Sequence, residues 1–139
     1  MPQPGVRAPA TARDDAGMAD KDDLGHAGED RAARYFSDLG YTILARNWRC
    51  RAGEIDLVVA DARTVVVVEV KTRRGVDFGH PFEAIDARKR ARLWRLAAAW
   101  AAEHREAVQG RRLRIDAIGL TGPLPATAAL EHLVDVEVP

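Results

Sequence analysis

A single cysteine, Cys50, occurs in the 139 residues. That excludes an internal disulfide and a cysteine-rich metal site, and it makes a reducing cytoplasm the expected compartment. No apolar run approaches the roughly 18 residues that a membrane crossing needs, and no signal-peptide core is visible near the N-terminus. The four histidines, His26, His80, His104 and His132, have no metal-ligand spacing. Net charge is absent as well, with 21 Lys and Arg against 21 Asp and Glu, which taken alone argues against a polyanionic partner. No internal repeat interrupts what is, by length, a single domain able to bury roughly two thirds of its unfolded surface.

The balance of charge hides an uneven distribution. Residues 1 to 30 carry three basic and seven acidic side chains, whereas residues 31 to 116 carry 18 basic and 11 acidic, a net of +7. The cations are clustered: Arg46, Arg49 and Arg51; Lys71, Arg73 and Arg74; Arg88, Lys89, Arg90, Arg92 and Arg95; Arg111, Arg112 and Arg114. Such clusters suit phosphate binding, although a solvated helix face accounts for the third almost as well.

Residues 1 to 24 mix Pro, Ala, Gly and Asp without hydrophobic period and are expected to form a disordered acidic tail, leaving residues 25 to 139 as one folded domain. From about Gly28 to Leu39, Ala32, Ala33, Phe36 and Leu39 follow helical spacing, and Gly40 is placed to end the helix. YTILARN, GEIDLVVA and TVVVVEVKT read as three strands, the last two joined through Asp61, Ala62 and Arg63 as a hairpin. Asp86 is an N-cap candidate for a helix to about His104, with Leu93, Leu96, Ala97 and Trp100 as its inward stripe. RLRIDAIGL reads as a fourth strand and LVDVEV as a further edge. The element order is αβββαβ, an α/β (α+β) arrangement.

VVVVEVKTRR, residues 65 to 74, is the stretch that points to chemistry. Its four consecutive valines describe a strand buried on both faces, yet Glu69 and Lys71 follow at a spacing that turns them to one face. Burying such charges is costly unless each has a partner, a metal or a phosphate. Asp56 interrupts the preceding apolar strand, so two neighbouring strands carry acid. Paired carboxylate oxygens suit Mg²⁺ or Mn²⁺. Lys71 could then stabilise charge on a pentavalent phosphate or help orient or deprotonate an attacking water. The alternative is a structural salt-bridge cluster. Lys89 could contact phosphate at its helix N-terminus or be a solvated first-turn lysine, and Arg114 with Asp116 could be a structural pair. Among the tryptophans, Trp48, flanked by Arg46, Arg49 and Arg51, is the candidate for stacking on bases.

From GHAGEDRAARYFSDLGYTILARNWRCRAGEIDLVV through VVVVEVKTRRG to FEAIDARKRARL and RIDAI, about residues 25 to 120, the chain resembles the YraN family of small bacterial proteins. The resemblance implies a restriction-endonuclease-like core, a mixed β-sheet flanked by helices, as in Holliday junction resolvases and type II restriction enzymes. It implies that Asp56 is the first acid of a PD-(D/E)xK nuclease motif and that Glu69, Val70 and Lys71 are its second half, with the Val70 backbone carbonyl also reaching the metal. Glu29 corresponds to a helix-one acid near that metal; a favourable first-turn carboxylate is its other reading. Ile55 stands where the generic motif has proline. The implied activity is metal-dependent hydrolysis of phosphodiester bonds in DNA, branched or otherwise structured, with Mg²⁺ or Mn²⁺ as cofactor and a homodimer cutting two strands. Arg49, Arg51, Arg73, Arg74 and Lys89 are the expected nucleic-acid contacts. A nucleic-acid-binding protein with a degenerate nuclease fold is the alternative, and a scaffold for a protein partner a third.

Overall fold

The structure is a computed structural model that describes residues 16–136, with side chains described from residue 23. Helix α1 spans Ala16–Asp38, then come strands β1 (Thr42–Cys50), β2 (Gly53–Ala60) and β3 (Thr64–Arg73). Two 3-10 turns, Val76–Phe78 and Pro81–Ala84, lead into helix α2 (Ala87–Glu103) and a short helix α3 (Arg105–Val108), after which come β4 (Arg112–Thr121) and β5 (Ala129–Leu133). The five strands form one sheet in sequence order. β1–β2–β3 is an antiparallel meander, β3 and β4 are parallel, and β5 returns antiparallel on the far edge. The mixed sheet flanked by helices is therefore as the sequence implied.

Helices cover both faces of this sheet. On one, Ile55, Val58, Val65, Val67, Ile115 and Ala117 pack against Leu93, Leu96, Ala97 and Trp100 of α2. On the other, Leu57, Val59, Val66, Val68, Ile118 and Leu120 pack against Ala32 and Phe36 of α1. The valine run of β3 alternates between the two cores, and its members at 65 to 67 are fully buried. Each such side chain contributes roughly 1.5–3 kcal/mol by leaving water. Parallel strands need a crossover, and α2 supplies it between β3 and β4.

Local signals fixed the element ends. Asp61 accepts from the backbone N–H groups of Arg63 and Thr64 and closes the β2–β3 hairpin. The Asp86 carboxylate caps α2 through the Lys89 N–H at 2.9 Å, and Gly40, with φ 96, ends α1 in the left-handed region.

Three boundaries differ from the sequence reading. β1 runs on to Cys50 rather than ending at Asn47. α1 begins at Ala16 rather than near Gly28, so residues 16 to 24 of the expected tail are helical; the rest of that tail lies outside the described residues. The edge strand is Ala129–Leu133, so that of the expected LVDVEV edge only Leu133 is strand; Val134 to Val136 are not, and residues 137 and 138 lie outside the described residues. Short edge strands carry weak periodicity, and Pro123 and Pro125 upstream masked this one.

Arg114 and Asp116 form the structural pair that strand alternation allowed. Asp116 has 0% exposure and accepts two bonds from Arg114 at 2.9 Å, one from His132 Nε2 at 2.7 Å and one from the Asp135 N–H at 2.9 Å. Tyr41 OH meets Arg114, and Tyr35 OH meets His132 Nδ1. Burial pushes the Asp116 pKa up, but the bonds from His132, Arg114 and Asp135 outweigh it and leave the carboxyl below its ordinary value. Asp116→Ala would leave Arg114 without its carboxylate and should lower stability by about 3–5 kcal/mol in urea unfolding. A loss under about 1 kcal/mol would show that the network is not structural.

Candidate metal and phosphate site

Asp56 and Glu69 lie where the β2–β3 ladder ends. The ladder runs from Ala60↔Val65 to Leu57↔Val68, and one further step in that register would bring Asp56 and Glu69 face to face. Like charges directly opposite are destabilising in a strand pair, and here the pairing stops. The Asp56 side chain instead takes the Val70 N–H, with Oδ2 at 2.8 Å. In an extended strand the N–H and C=O of one residue leave on the same edge, so the Val70 carbonyl also faces the Asp56 side. Alternation along β2 breaks at the same point, since Ile55 packs into the α2-side core and Leu57 into the α1-side core.

Glu69 is 4% exposed. Its Oε2 is held between two ammonium groups, Lys71 Nζ at 3.4 Å and Lys89 Nζ at 3.2 Å. Lys71 comes from the same strand face two residues on, and Lys89 from the first turn of α2, which the Asp86 cap fixes in place. Lys89 is therefore neither a solvated first-turn lysine nor remote from the acids; it neutralises one of them.

Asp56 is half-buried. Burial pushes its pKa up to about 8, helped by the negative charge of Glu69 and, more weakly, of Glu29 and Glu54, and opposed by the Val70 N–H. Glu29 thus lies close enough to be felt by Asp56. Its own carboxylate accepts a bond from Asn47 Nδ2 at 2.8 Å. Asn47 adopts the left-handed conformation, φ 51, which asparagine tolerates better than most side chains. It falls between the pairs Arg46↔Leu57 and Trp48↔Ile55. Gly28 brings α1 close enough to β3 that a Cβ there would collide with Thr72 Oγ1. Sequence reasoning missed Asn47, which it read as the last residue of its strand, whereas β1 continues to Cys50.

The structure brings together Asp56, Glu69, Lys71 and Lys89, with Val70 between. Glu29 is near but is held by Asn47, and among the described residues no three His, Cys, Asp or Glu side chains are gathered to hold a metal ion. The donors that could hold Mg²⁺ or Mn²⁺ are the Asp56 and Glu69 carboxylates and the Val70 carbonyl. They fit as hard oxygen ligands that leave positions for water, and the crowding that raises the Asp56 pKa is relieved by a cation.

Arg49 and Arg51 stand at the β1–β2 hairpin, both exposed, with Arg49 3.5 Å from Glu54. Arg73 and Arg74 continue β3 past Lys71, Arg73 half-buried and Arg74 exposed. All four lie at the end of the sheet that holds the carboxyl ends of the parallel strands, where α/β sheets bind ligands. Trp48 does not stack outward; it packs against the α2-side core, with its ring centroid 6.3 Å from that of His104.

A mixed five-stranded sheet with an acid–lysine cluster at the carboxyl ends of its parallel strands defines an α/β protein with a core compatible with nuclease-like folds. Residues 28–120 match the family described as "Uncharacterised protein family UPF0102". A UPF0102 protein of Paenarthrobacter aurescens (strain TC1) is 47% identical over 116 residues, which cover 84% of this chain and 94% of the relative. One from Frankia casuarinae is 47% identical over 84% of this chain and 97% of its own length, and one from Acidothermus cellulolyticus is 60% identical over 58% of this chain and 61% of its own length. The chain belongs to the UPF0102 family, which is the YraN family of the sequence resemblance. Among the described residues, no helix is long and apolar enough to cross a membrane.

Asp56 binds its proton in the folded state up to about pH 8, but the ordinary carboxyl has released it above about 4. The metal-free fold should therefore lose stability as pH rises through that window, by at most about 1.4 kcal/mol per unit. Asp56→Asn keeps an acceptor for the Val70 N–H and should flatten that part of the profile. Urea melts at pH 5 and pH 8 would show the variant gaining on wild type at the higher pH; equal slopes would contradict the assignment.

Proposed function

We propose that the protein is a metal-dependent endonuclease that hydrolyses phosphodiester bonds in DNA. The observation that carries this reading is the pair of crowded carboxylates, Asp56 and Glu69, set beside two lysines at the carboxyl end of the central strand. Titratable groups whose environment perturbs them and that share a cleft with specific charge partners are candidates for a functional site. Asp56, Glu69 and the Val70 carbonyl would hold the ion, with Glu29 behind them. When bound, Mg²⁺ or Mn²⁺ supplies polarisation of the phosphate and a more acidic water.

The remaining contributions come from the chain itself. Hydrolysis forms a bond from water oxygen to phosphorus and breaks the ester P–O bond; the proton released by the water leaves the reacting centre, and the departing oxygen gains one. Negative charge grows on the phosphoryl oxygens in between. Lys71 and Lys89 are placed to meet that charge once a cation takes over their role on Glu69, and the positive end of α2 adds to it. Arg73 and Arg74 extend the positive surface along one side, Arg49 and Arg51 along another. Cutting two strands would use two such sites, hence a homodimer, and the lone cysteine suits a cytoplasmic enzyme.

One observation favours a second reading, a nucleic-acid-binding protein without turnover. Glu69 is already met by its two lysines, and among the described residues no third metal-ligating side chain is gathered with the pair.

Purified protein with Mg²⁺ or Mn²⁺ should nick supercoiled DNA, with Glu69→Gln abolishing activity and Lys71→Ala lowering it about 10²–10³-fold. Binding without nicking by any of the three proteins would select the second reading. Independently, Mn²⁺ should raise the melting temperature of wild type and not of Asp56→Asn; an equal shift in both would place the ion elsewhere.

A further inference from the structure

A groove of about 540 Å³ opens beside the acid–lysine cluster. Glu29 and Gly25 of α1, Lys71 and Arg73 of β3, and Arg74 and Phe78 just beyond that strand line it. Phe78 sits in the 3-10 turn after β3 and is 64% exposed, beside Val76, which is exposed too. A large aromatic held on the surface next to a row of cations lacks a packing role, and its ring is free to meet a planar ligand.

Size decides between ligands. The groove falls within the range of sites that hold one small molecule, about 300–1,000 Å³, which is the scale of a single nucleotide. The cations that line it match a phosphate chain, and the exposed aromatic among them matches a base taken out of its stack. We propose that this groove receives an unpaired nucleotide of a DNA strand, with Phe78 stacking on the base while Lys71, Arg73 and Arg74 follow the phosphates. The substrate class is then DNA with unpaired nucleotides at the cutting point, such as single strands, flaps or strand junctions, rather than continuous duplex. This rests on the nuclease reading for the chemistry but not for the binding.

Two positions make the test possible without disturbing the fold. Phe78 is exposed, and a Cβ at Gly25 would meet nothing within 4 Å, so Gly25→Leu can narrow the groove while the helix gains a better helix former. Fluorescence anisotropy of the full chain, without divalent metal, would compare a labelled single-stranded DNA oligonucleotide with the same sequence as duplex. Wild type should prefer the single strand. Phe78→Ala and Gly25→Leu should each weaken single-strand binding about tenfold and change duplex binding less than twofold, and Phe78→Trp should retain binding and show indole quenching on addition of the strand. Equal affinity for both forms, or an unchanged single-strand affinity in Phe78→Ala, would overturn the proposal. Nicking assays on the same proteins separate the two levels. A Phe78-dependent preference without Glu69-dependent cleavage supports the groove while removing the enzyme, and cleavage without that preference does the reverse.

Discussion

A carboxylate buried at the end of the central strand has to be neutralised, and the arrangement of the whole active end follows from how that is done. Glu69 is almost fully out of water, where an uncompensated charge is costly. One ammonium arrives along the strand, two residues further on. The other arrives from α2, and it can do so only because the helix begins where Asp86 caps it, at the carboxyl end of β3. Sheet, crossover helix and acid are therefore mutually dependent. Moving α2 by a turn would leave Glu69 with half its compensation, in a medium where an unpaired charge costs several kcal/mol.

Asp56 shows the opposite treatment. It gains one backbone donor and no cation, so its environment favours the protonated form. The molecule thus treats two neighbouring carboxyls differently, setting Glu69 between two lysines and pushing Asp56 toward neutrality. Electrostatics of that kind is frustrated by design of the backbone: the β2–β3 ladder stops where the two acids would otherwise meet, and the break in β2 alternation re-aims the side chains. The Arg114–Asp116–His132 network, by contrast, matches its charges fully and lies in the sheet's interior, which identifies it as scaffolding.

Most of the fold was legible because its signals are local. The valine run, the Asp61 turn, the Asp86 cap and the Leu93, Leu96, Ala97, Trp100 stripe each arise from residues within a few positions of one another. The acids and Lys71 were legible for the same reason, since period-two spacing fixes their face. Lys89 was not, because its partner is twenty positions away and the crossover that joins them is a tertiary fact. Asn47 was invisible for a different reason: its left-handed backbone depends on the break opposite it, and only then does its amide reach Glu29. Trp48 went wrong because flanking arginines gave it the look of a surface residue, whereas its strand turns it toward α2.

The Asp86 cap has a consequence for how such proteins can diverge. Because the cap sets the start of α2, and Pro81, Phe82 and Ile85 anchor the chain just before it, the exposed turn Val76–Phe78 can change its length or its aromatic residue without displacing Lys89 from Glu69. Selectivity for what enters the groove and the constancy of the charged centre are thereby carried by separate pieces of chain, so one can drift between lineages while the other stays put.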